Sequence, residues 1–457
     1  MRVGQWCAYP DFSIISKFGK TASVPQSLSF ADAPVTVKMP YMHPGNYIIM
    51  RDSAESHGLL ARNKEIAHAS GRFQVACYKE EIEASLRTAS FSGYELLDLH
   101  DYLGQGGALI GVLDAFWESK GYVGPAEFRQ YNNTTVPLTR FKDRVFTTDQ
   151  TFASDVEVAH FGPKPLTSTT AAWRIVDTAG KSMASGSLPA REIPRGKNIA
   201  LGKITADLSK FHAPAQYKLI IELQGTPFHN SWDFWLYPAK VDASVPSRVL
   251  ITSAWPEAQA SLAGGGKVLF LPATENDSRE LALSTVPIFW NRLMNPGRTW
   301  MLGLWNDTRH PALAGFPTES NCDWQWIDML PRTHALNIDS LPKTVQAIVE
   351  PIDDWNRNLK LAMLYECRVG SGKLMVSSLD LSGSGANGTR PSAMTLRRSV
   401  LDDMASAKFQ PAAALSEAQM TKWLAERNTI DPNLIKPNAP STPDLVDPGQ
   451  IQRRPGE

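Results

Sequence analysis

The sequence predicts a multidomain protein that combines α/β regions with an all-β region. A chain of 457 residues is too long for one hydrophobic core and suggests roughly three domains of about 100 to 200 residues each. The spacing of apolar residues also changes near Pro137 and again near Ser247, from helical to alternating and then to mixed. We therefore predict the following segments: an α/β region at 1–135, a β-sandwich at 136–242, an α/β domain at 243–412, and a helix remnant with a disordered Pro-rich tail at 413–457.

The first region is predicted to contain a strand followed by a long helix. Met1 to Pro10 has the composition of a buried strand, so we expect the chain to lack an upstream half against which this strand would fold. Apolar residues then recur at helical spacing from Leu59 to Ala89, with Lys79 to Glu83 on the polar side. The pattern indicates a long amphipathic helix after the opening strand.

A second short strand is predicted at 93–101, and polar residues stand at its carboxyl end. Asp98, His100 and Asp101 follow its apolar residues, and this end of a strand is where an α/β barrel carries its chemistry. A substrate contact and a purely structural hydrogen-bonding role are equally compatible with these residues.

The middle region is predicted to be a β-sandwich because it loses the helical period. Short alternating runs such as 171–176 and 217–223 are separated by turn signals. Its last strand, 230–238, places Trp232 and Phe234 on one face and Trp235 on the other, as a period of two requires. One of these aromatic faces should therefore meet a neighbouring domain.

The third region alternates strands with helices, which indicates a doubly wound, flavodoxin-like α/β domain. Gly383 to Gly388 matches G-x-G-x-x-G, but its position at the end of the domain favours a flexible loop over a nucleotide site. No cysteine here is flanked by glycine as in the nucleophile elbow of a class I glutamine amidotransferase, so we expect a non-catalytic domain. His310, Glu319 and Cys322 lack metal-ligand spacing and indicate a structured loop.

Composition restricts the ligands and partners. Lys plus Arg equals Asp plus Glu at 46 each, which removes the electrostatic case for nucleic acid or an anionic membrane and suits a neutral ligand. No stretch approaches the roughly 18 to 20 apolar residues of a membrane span. The four cysteines lack C-x-x-C spacing, so neither a zinc site nor a disulfide framework is predicted. We predict no cofactor and no metal.

The first region resembles glycoside hydrolase family 2, the β-galactosidase and β-glucuronidase clan. Gly93 to Tyr102, followed by Gly111 to Trp117 and Lys120-Gly-Tyr, is similar to the last barrel strand and its exit. Val3 to Pro10 is similar to the seventh barrel strand, and the helix at 59–89 to the penultimate barrel helix. The resemblance therefore implies a partial (β/α)8 barrel, the TIM barrel of these enzymes.

The remaining regions extend the resemblance over nearly the whole ordered chain. Asn230 to Pro238 ends a sandwich similar to the immunoglobulin-like domains that follow the barrel in large bacterial β-galactosidase-type members. Residues 247 to about 410 match the amidotransferase-like domain that is appended to these enzymes. The family implies a retaining exo-glycosidase that acts on a β-galactoside or related glycan, located in the bacterial periplasm or secreted.

The sequence departs from this family at the catalytic carboxylates. Retaining members use two carboxyl groups about 5 Å apart, one as nucleophile and one as acid/base. The resemblance implies a glutamate nucleophile just before Val3-Gly-Gln-Trp6, but Arg2 stands there, and a guanidinium cannot attack an anomeric carbon. The acid/base is expected on a barrel strand that precedes residue 1. No catalytic residue is assigned; the candidate substrate-binding residues are Trp6, Asp98, His100 and Asp101.

Two hypotheses follow from the sequence. In the first, the chain is the C-terminal part of a family 2-like glycosidase, without hydrolytic activity on its own. In the second, it is a non-catalytic carbohydrate-binding or interaction module whose tryptophans at 6, 117 and 232–235 offer stacking surfaces. Exposed barrel edges would favour either a homo-oligomer or association with a missing N-terminal half. A weaker third hypothesis keeps the loop at 383–388 as a regulatory nucleotide site.

Overall fold

The computed structural model describes residues 2–3, 6–21, 44–102, 107–274, 277–284 and 301–430. Over these residues the protein is a mixed α/β structure with several sheets. The disordered tail predicted from about residue 432 lies outside the described residues. Among the helices of the described part, none combines the length and the apolar content that crossing a membrane requires.

The first region contains one parallel strand pair joined through helices. Its elements are β1 (Arg2–Val3), α1 (Ile15–Thr21), α2 (Gly45–Ser56), α3 (Asn63–Arg87), β2 (Glu95–Leu96) and α4 (Pro125–Phe128). In the parallel register, Val3 lies opposite Leu96, and the long helix α3 lies in the connection between the two strands. Within the described residues, β1 and β2 form a two-stranded sheet of their own, and the predicted barrel stays a prediction.

Helix α3 confirms the helix expected between residues 59 and 89. Glu65 in its first turn and Arg87 in its last turn suit the helix dipole. One face of α3 buries Val75, Tyr78 and Ile82 in a core that also holds Val3 of β1. Burial of an amphipathic face, more than intrinsic propensity, supplies most of the stability of such a helix.

The middle region is a sandwich of two sheets. Its strands are β3 (Thr135–Arg140), β4 (Val145–Thr147), β5 (Thr151–His160), β6 (Leu166–Thr169), β7 (Ala171–Asp177), β8 (Ser182–Ser187), β9 (Arg191–Ile193), β10 (Gly196–Asp207), β11 (Ala215–Leu223) and β12 (His229–Tyr237). The two main sheets have the orders β10-β5-β3 and β4-β12-β11-β7-β8, and β6 pairs with β9 in a separate two-stranded sheet. Phe152 and Val156 of the first sheet share a core with Leu219 and Phe234 of the second.

The period of two predicted for 230–238 is confirmed along β12. Trp232 and Phe234 lie in the sandwich core, whereas Trp235 and Tyr237 lie in a second core that contains side chains of α3 and of the third region. The Tyr237 hydroxyl donates a hydrogen bond to Gln325 Oε1 of the third region. One face of β12 therefore meets a neighbouring region, as the alternation requires.

The third region is built on a central mixed sheet. Its elements are β13 (Val249–Thr252), α5 (Trp255–Ala263), β14 (Lys267–Phe270), β15 (Leu304–Asn306), α6 (Trp324–Met329), β16 (Leu336–Asn337), β17 (Ala347–Pro351), β18 (Leu361–Ala362), β19 (Leu364–Val369), β20 (Gly372–Ser377), α7 (Gly385–Gly388), α8 (Pro391–Ala405), β21 (Ala414–Leu415) and α9 (Glu417–Glu426). The sheet order is β13-β14-β20-β19-β17-β15, with β21 beside β19.

This sheet differs from the fully parallel sheet of a doubly wound domain. Strands β13, β14 and β20 are parallel, but β19, β17 and β15 continue the sheet in antiparallel order. The physical reason is the short connection between β19 and β20: Val369 pairs with Gly372, and Gly370 has a φ of 59° in the turn. A two-residue hairpin can join antiparallel strands only.

Helix α9 is packed onto the third region beyond the expected boundary at residue 412. Ser416 and Gln419 form a capping box at its start. Met420 and Trp423 are buried in the core beneath β19 and β20, and Trp423 Nε1 donates a hydrogen bond to the Asn337 carbonyl at 2.7 Å. Residues 413–426 therefore contribute to the core of the third region.

Candidate functional site

The carboxyl ends of β1 and β2 lie at the same edge because the two strands are parallel. The amide of Leu97 donates to the Val3 carbonyl at 2.9 Å, which continues the pairing just beyond β2. The chain that leaves β1 is also fixed there, because the amide of Ala8 donates to the Leu109 carbonyl at 2.9 Å. Loops at this end of parallel strands carry ligand sites in α/β proteins.

The segment that follows β2 is held against the segment around Gly111. The amide of Asp101 donates to the Leu113 carbonyl at 3.0 Å, and the amide of Leu113 to the Leu99 carbonyl at 3.1 Å. A side chain on Gly111 would place its Cβ 2.2 Å from the carbonyl carbon of His100. Glycine at position 111 is therefore required for this close backbone approach.

Trp117 lies at the tip of a tight loop that Asp114 closes. The Oδ1 atom of Asp114 accepts hydrogen bonds from the amides of Phe116 at 2.8 Å and Glu118 at 3.0 Å, and its carboxylate forms an ion pair with Lys17. Trp117 has a φ of 65°, a left-handed conformation that is rare for a bulky residue. Such strain persists only where the surroundings fix the backbone.

An exposed aromatic surface results at the strand ends. The Trp117 side chain is 61% exposed, Tyr102 is 42% exposed, and the ring centroids of Trp117 and His100 lie 4.3 Å apart. We call Asp98, Leu99, His100, Tyr102 and Trp117 the strand-end platform. His100 and Trp117 lie together, Tyr102 follows His100 by two residues, and exposed aromatic side chains of this kind indicate a binding surface.

The platform also presents hydrogen-bonding groups. His100 Nδ1 donates to the Asp101 carbonyl at 2.8 Å, so in the neutral ring Nε2 is an acceptor. Two residues before His100, the half-buried Asp98 adds carboxylate acceptors, and the indole of Trp117 adds one N–H donor. This combination suits a neutral ligand with hydroxyl groups and an apolar face.

Asp101 is a buried neighbour of the platform and is 4% exposed. Its Oδ1 atom accepts hydrogen bonds from Lys120 Nζ at 2.6 Å and from the Gly111 amide at 3.0 Å. Burial raises the pKa of Asp101, and the charge of Lys120 opposes that rise. Its contacts join the segment after β2 to the segments around Gly111 and Lys120.

Trp6 packs against helix α3. It is half-buried, and its ring packs edge-on against Phe73 of α3 with centroids 6.2 Å apart. Its carbonyl accepts hydrogen bonds from Gln74 Nε2 at 2.6 Å and Tyr78 Oη at 3.2 Å. Arg2 lies in β1 opposite Glu95.

The other two tryptophans offered as stacking surfaces are buried. Trp232 and Trp235 are 2% and 1% exposed, so they do not offer the stacking surface expected of them. All four cysteines are buried, and the described residues contain no group of three or more His, Cys, Asp or Glu side chains arranged to hold a metal ion.

The loop at 383–388 is filled by a carboxylate of the protein itself. Asp380 accepts hydrogen bonds from the Gly388 amide at 2.9 Å and the Ser382 amide at 3.2 Å. A phosphate would need these same donors. The nucleotide hypothesis is therefore not supported by the geometry of this loop.

The sequence analysis selected Asp98 and His100 of the platform and missed two of its five residues. Tyr102 and Leu99 were not singled out, and Trp117 was one of several tryptophans offered as stacking surfaces. The available signal was Asp114, three residues before Trp117, because aspartate commonly accepts hydrogen bonds from the amides of a following turn.

Two family profiles match the chain. One is described as a domain of unknown function (DUF8487) and matches residues 250–425; the other is described as a domain of unknown function (DUF8488) and matches residues 150–238. None of the curated proteins matches the chain.

Solved structures that resemble parts of the chain include glycoside hydrolases. The exo-chitosanase of Amycolatopsis orientalis is 14% identical with a TM-score of 0.26, and the alignment covers 40% of this chain and 20% of that one. A β-glucuronidase from glycoside hydrolase family 2 is 13% identical with a TM-score of 0.17, covering 24% and 12%. The α2-macroglobulin of E. coli is 14% identical with a TM-score of 0.19, covering 25% and 6%. The chain thus spans a fifth or less of the length of these structures.

Proposed function

We propose that the protein is a glycoside hydrolase family 2-like chain that binds a carbohydrate at the strand-end platform. The observation that carries the proposal is the exposed indole of Trp117, which Asp114 holds in a left-handed backbone conformation. A strained, exposed aromatic residue on a fixed loop is a reason to infer a binding role. Fixing the indole before binding reduces the entropy lost on association.

The class of ligand follows from the groups on the platform. A sugar ring has an apolar face that can lie on an indole and hydroxyl groups that require both donors and acceptors. Trp117 and Tyr102 supply rings, while Asp98 and His100 supply acceptors. Together with the resemblance of the sequence, these groups favour a β-galactoside or a related neutral glycan.

The proposal is binding without hydrolysis. Cleavage of a glycosidic bond by a retaining enzyme needs a pair of carboxyl groups about 5 Å apart. Arg2 occupies the position that the resemblance gives to the nucleophile, and Asp101 already accepts hydrogen bonds from Lys120 and Gly111. The proposed role of Asp101 is to position the platform rather than to react.

The proposal includes a domain organisation. Residues 1–135 are assigned to the end of a TIM-barrel glycosidase domain, 136–242 to an immunoglobulin-like sandwich, and 243–412 to an amidotransferase-like domain with the helix and tail after it. The parallel pair β1 and β2 with α3 between them supports the first assignment. The face-to-face sheets around Phe234 support the second.

Calorimetric titration of Trp117→Ala tests the proposal. With galactose-terminated β-linked oligosaccharides as probes, we expect Trp117→Ala to weaken binding about tenfold or more and Trp117→Phe to retain part of the affinity. Phe161→Ala removes a comparably exposed ring, 46% exposed, from the sandwich and should leave binding unchanged. If Trp117→Ala binds the oligosaccharides with wild-type affinity, the platform is not the sugar site.

A rate measurement tests the absence of hydrolysis. We expect the wild-type chain to release no nitrophenol from nitrophenyl β-galactoside above the buffer blank, because the sequence places an arginine where the family implies a nucleophile. Turnover that scales with protein concentration and survives repurification would contradict this part of the proposal.

A further inference from the structure

A groove lies where helix α3, the β-sandwich and the third region meet. It consists of two adjoining cavities of about 580 and 540 Å³, each within the size range of ligand sites, about 300 to 1,000 Å³. We call it the junction groove. The residues that line both cavities are Arg72, Ala76, Lys218, Asp233 and Trp324.

Each wall of the junction groove comes from a different region. Arg72 and Ala76 lie on α3, and Lys218 and Asp233 lie opposite each other on β11 and β12. The segment from Glu319 to Trp324 closes the groove from the third region. Ligand sites occur preferentially at such interfaces between domains.

The lysine and arginine side chains of the junction groove are all paired with carboxylates. On the sheet, Arg174 pairs with Glu222 at 3.0 Å and Lys218 with Asp233 at 2.8 Å. The remaining pairs are Arg72 with Glu127 at 2.9 Å, Arg144 with Glu80, and Lys79 with Glu83. Because every cation here already has an anionic partner, the lining favours a neutral ligand over an anionic one.

The paired side chains form a fixed array of donors and acceptors. A guanidinium offers N–H donors and a carboxylate offers only acceptors, so adjacent pairs can satisfy hydroxyl groups, which require both. Arg174 and Glu222 are each nearly half exposed and stand on neighbouring strands. The half-buried indole of Trp324, shared by both cavities, provides an apolar face.

We infer that the junction groove is a second carbohydrate site, which takes a neutral oligosaccharide chain. The inference rests on the proposed function for the class of ligand, and on the position, the paired cations and the lining of the groove for the site. The two adjoining cavities correspond to more than one sugar unit. The groove would therefore hold a chain, whereas the platform would hold a chain end or a single unit.

Calorimetry with the full chain tests the inference. The probes are hexaoses of β-linked galactose, glucose, mannose, xylose and N-acetylglucosamine, with hexagalacturonate as the anionic comparison. We expect two binding events with a neutral hexaose and weaker binding of hexagalacturonate. Arg174→Ala and Trp324→Ala should each weaken binding in the groove about fivefold or more and leave binding at the platform unchanged. Trp117→Ala should weaken binding at the platform and leave binding in the groove unchanged. Arg191→Ala, on an exposed strand outside the groove, is the matched control.

The variants separate failure of the inference from failure of the proposed function. If Trp117→Ala abolishes all binding while Arg174→Ala and Trp324→Ala bind as the wild type does, the groove is not a carbohydrate site and the platform remains one. If Arg174→Ala and Trp324→Ala abolish all binding while Trp117→Ala binds as the wild type does, the platform is not a carbohydrate site and the groove remains one. If no neutral hexaose binds, neither is a carbohydrate site. Hydrogen exchange checks the location without substitutions: the bound hexaose should protect residues 319–324, and protection confined to 97–120 would contradict the inference.

Discussion

Glu83 is fully buried between helix α3 and the β-sandwich, where several groups surround its carboxylate. It forms ion pairs with Lys79 and with Arg87 Nη1 at 3.1 Å, and it accepts hydrogen bonds from Trp232 Nε1 and Asn230 Nδ2, each at 2.8 Å. Burial alone would raise the pKa of Glu83, but the charges of Lys79 and Arg87 outweigh it and hold that pKa below its ordinary value. The negative charge is therefore a requirement of this interface.

We expect Glu83→Gln to lower the free energy of unfolding by about 3 to 5 kcal/mol at pH 7, because Lys79 loses its carboxylate partner and Arg87 keeps only Glu80 at 3.6 Å. A carboxylate with a depressed pKa stabilises the fold above its unfolded pKa of about 4.3, and this contribution is lost as the pH falls through the folded pKa. The difference between wild type and variant should therefore shrink in acid. Urea unfolding at pH 7 and near pH 3, below the unfolded pKa, measures both effects.

Glu65→Gln provides the matched control on the same helix. Glu65 is exposed in the first turn of α3, and surface substitutions of this kind change stability by about 0.5 kcal/mol or less. A loss of stability in Glu83→Gln that stays constant between the two pH values would contradict a role for the carboxylate charge.

At the same scale, the sequence identified part of the candidate site and missed the rest for a physical reason. Asp98 and His100 were identifiable because polar residues at a strand end are a local pattern. The exposure of Trp117 depends on Asp114 and on its ion pair with Lys17, which is 97 positions away in the chain. Packing between such distant segments leaves no periodic signal in the sequence.

The element that positions the platform is the pair of segments around His100 and Gly111. We expect Gly111→Ala to lower the free energy of unfolding by about 1 to 3 kcal/mol, because its Cβ would lie 2.2 Å from a backbone carbon that cannot rotate away. The displaced segment carries His100, so carbohydrate binding should weaken as well. Thermal unfolding and calorimetric titration with the same oligosaccharide measure the two effects.

Gly124→Ala is the control for this substitution. Gly124 precedes helix α4, has a φ of −100°, and has no heavy atom within 4 Å of an added Cβ. It should retain wild-type stability and binding. Unchanged binding in Gly111→Ala, despite lower stability, would show that the platform does not depend on this close approach.

Elements with a strong periodic spacing of apolar residues were predictable from the sequence. Elements that depend on which strands pair with one another were not. The helix expected at 59–89 is observed at Asn63–Arg87, whereas the strand expected at 93–101 is regular only at Glu95–Leu96. The segment after β2 leaves the regular ladder and pairs with the chain near Leu113 through isolated bridges. The mixed sheet of the third region was missed because a two-residue turn at Gly370 determines strand direction, which alternation with helices does not.

At the scale of the whole molecule, the first and third regions share one hydrophobic core. Phe12 and Tyr47 of the first region pack in the same cluster as Trp305 and Trp355 of the third. Predicted boundaries at composition shifts could not show this, because a shared core is a property of tertiary packing. The two regions should therefore unfold together rather than as independent domains.

Tyr9→Phe tests this coupling because the Tyr9 hydroxyl lies 2.5 Å from Asn358 Oδ1 of the third region. Its removal leaves a fully buried acceptor without that donor and should lower the free energy of unfolding by about 1 to 3 kcal/mol. In native-state hydrogen exchange, the slowest amides of α3 and of β20 should lose protection by the same amount, since a cooperative unit opens as a whole. Tyr94→Phe removes a half-buried hydrogen bond to Asn132 within the first region and should have a smaller effect. Loss of protection in α3 with β20 unchanged would show that the regions unfold independently.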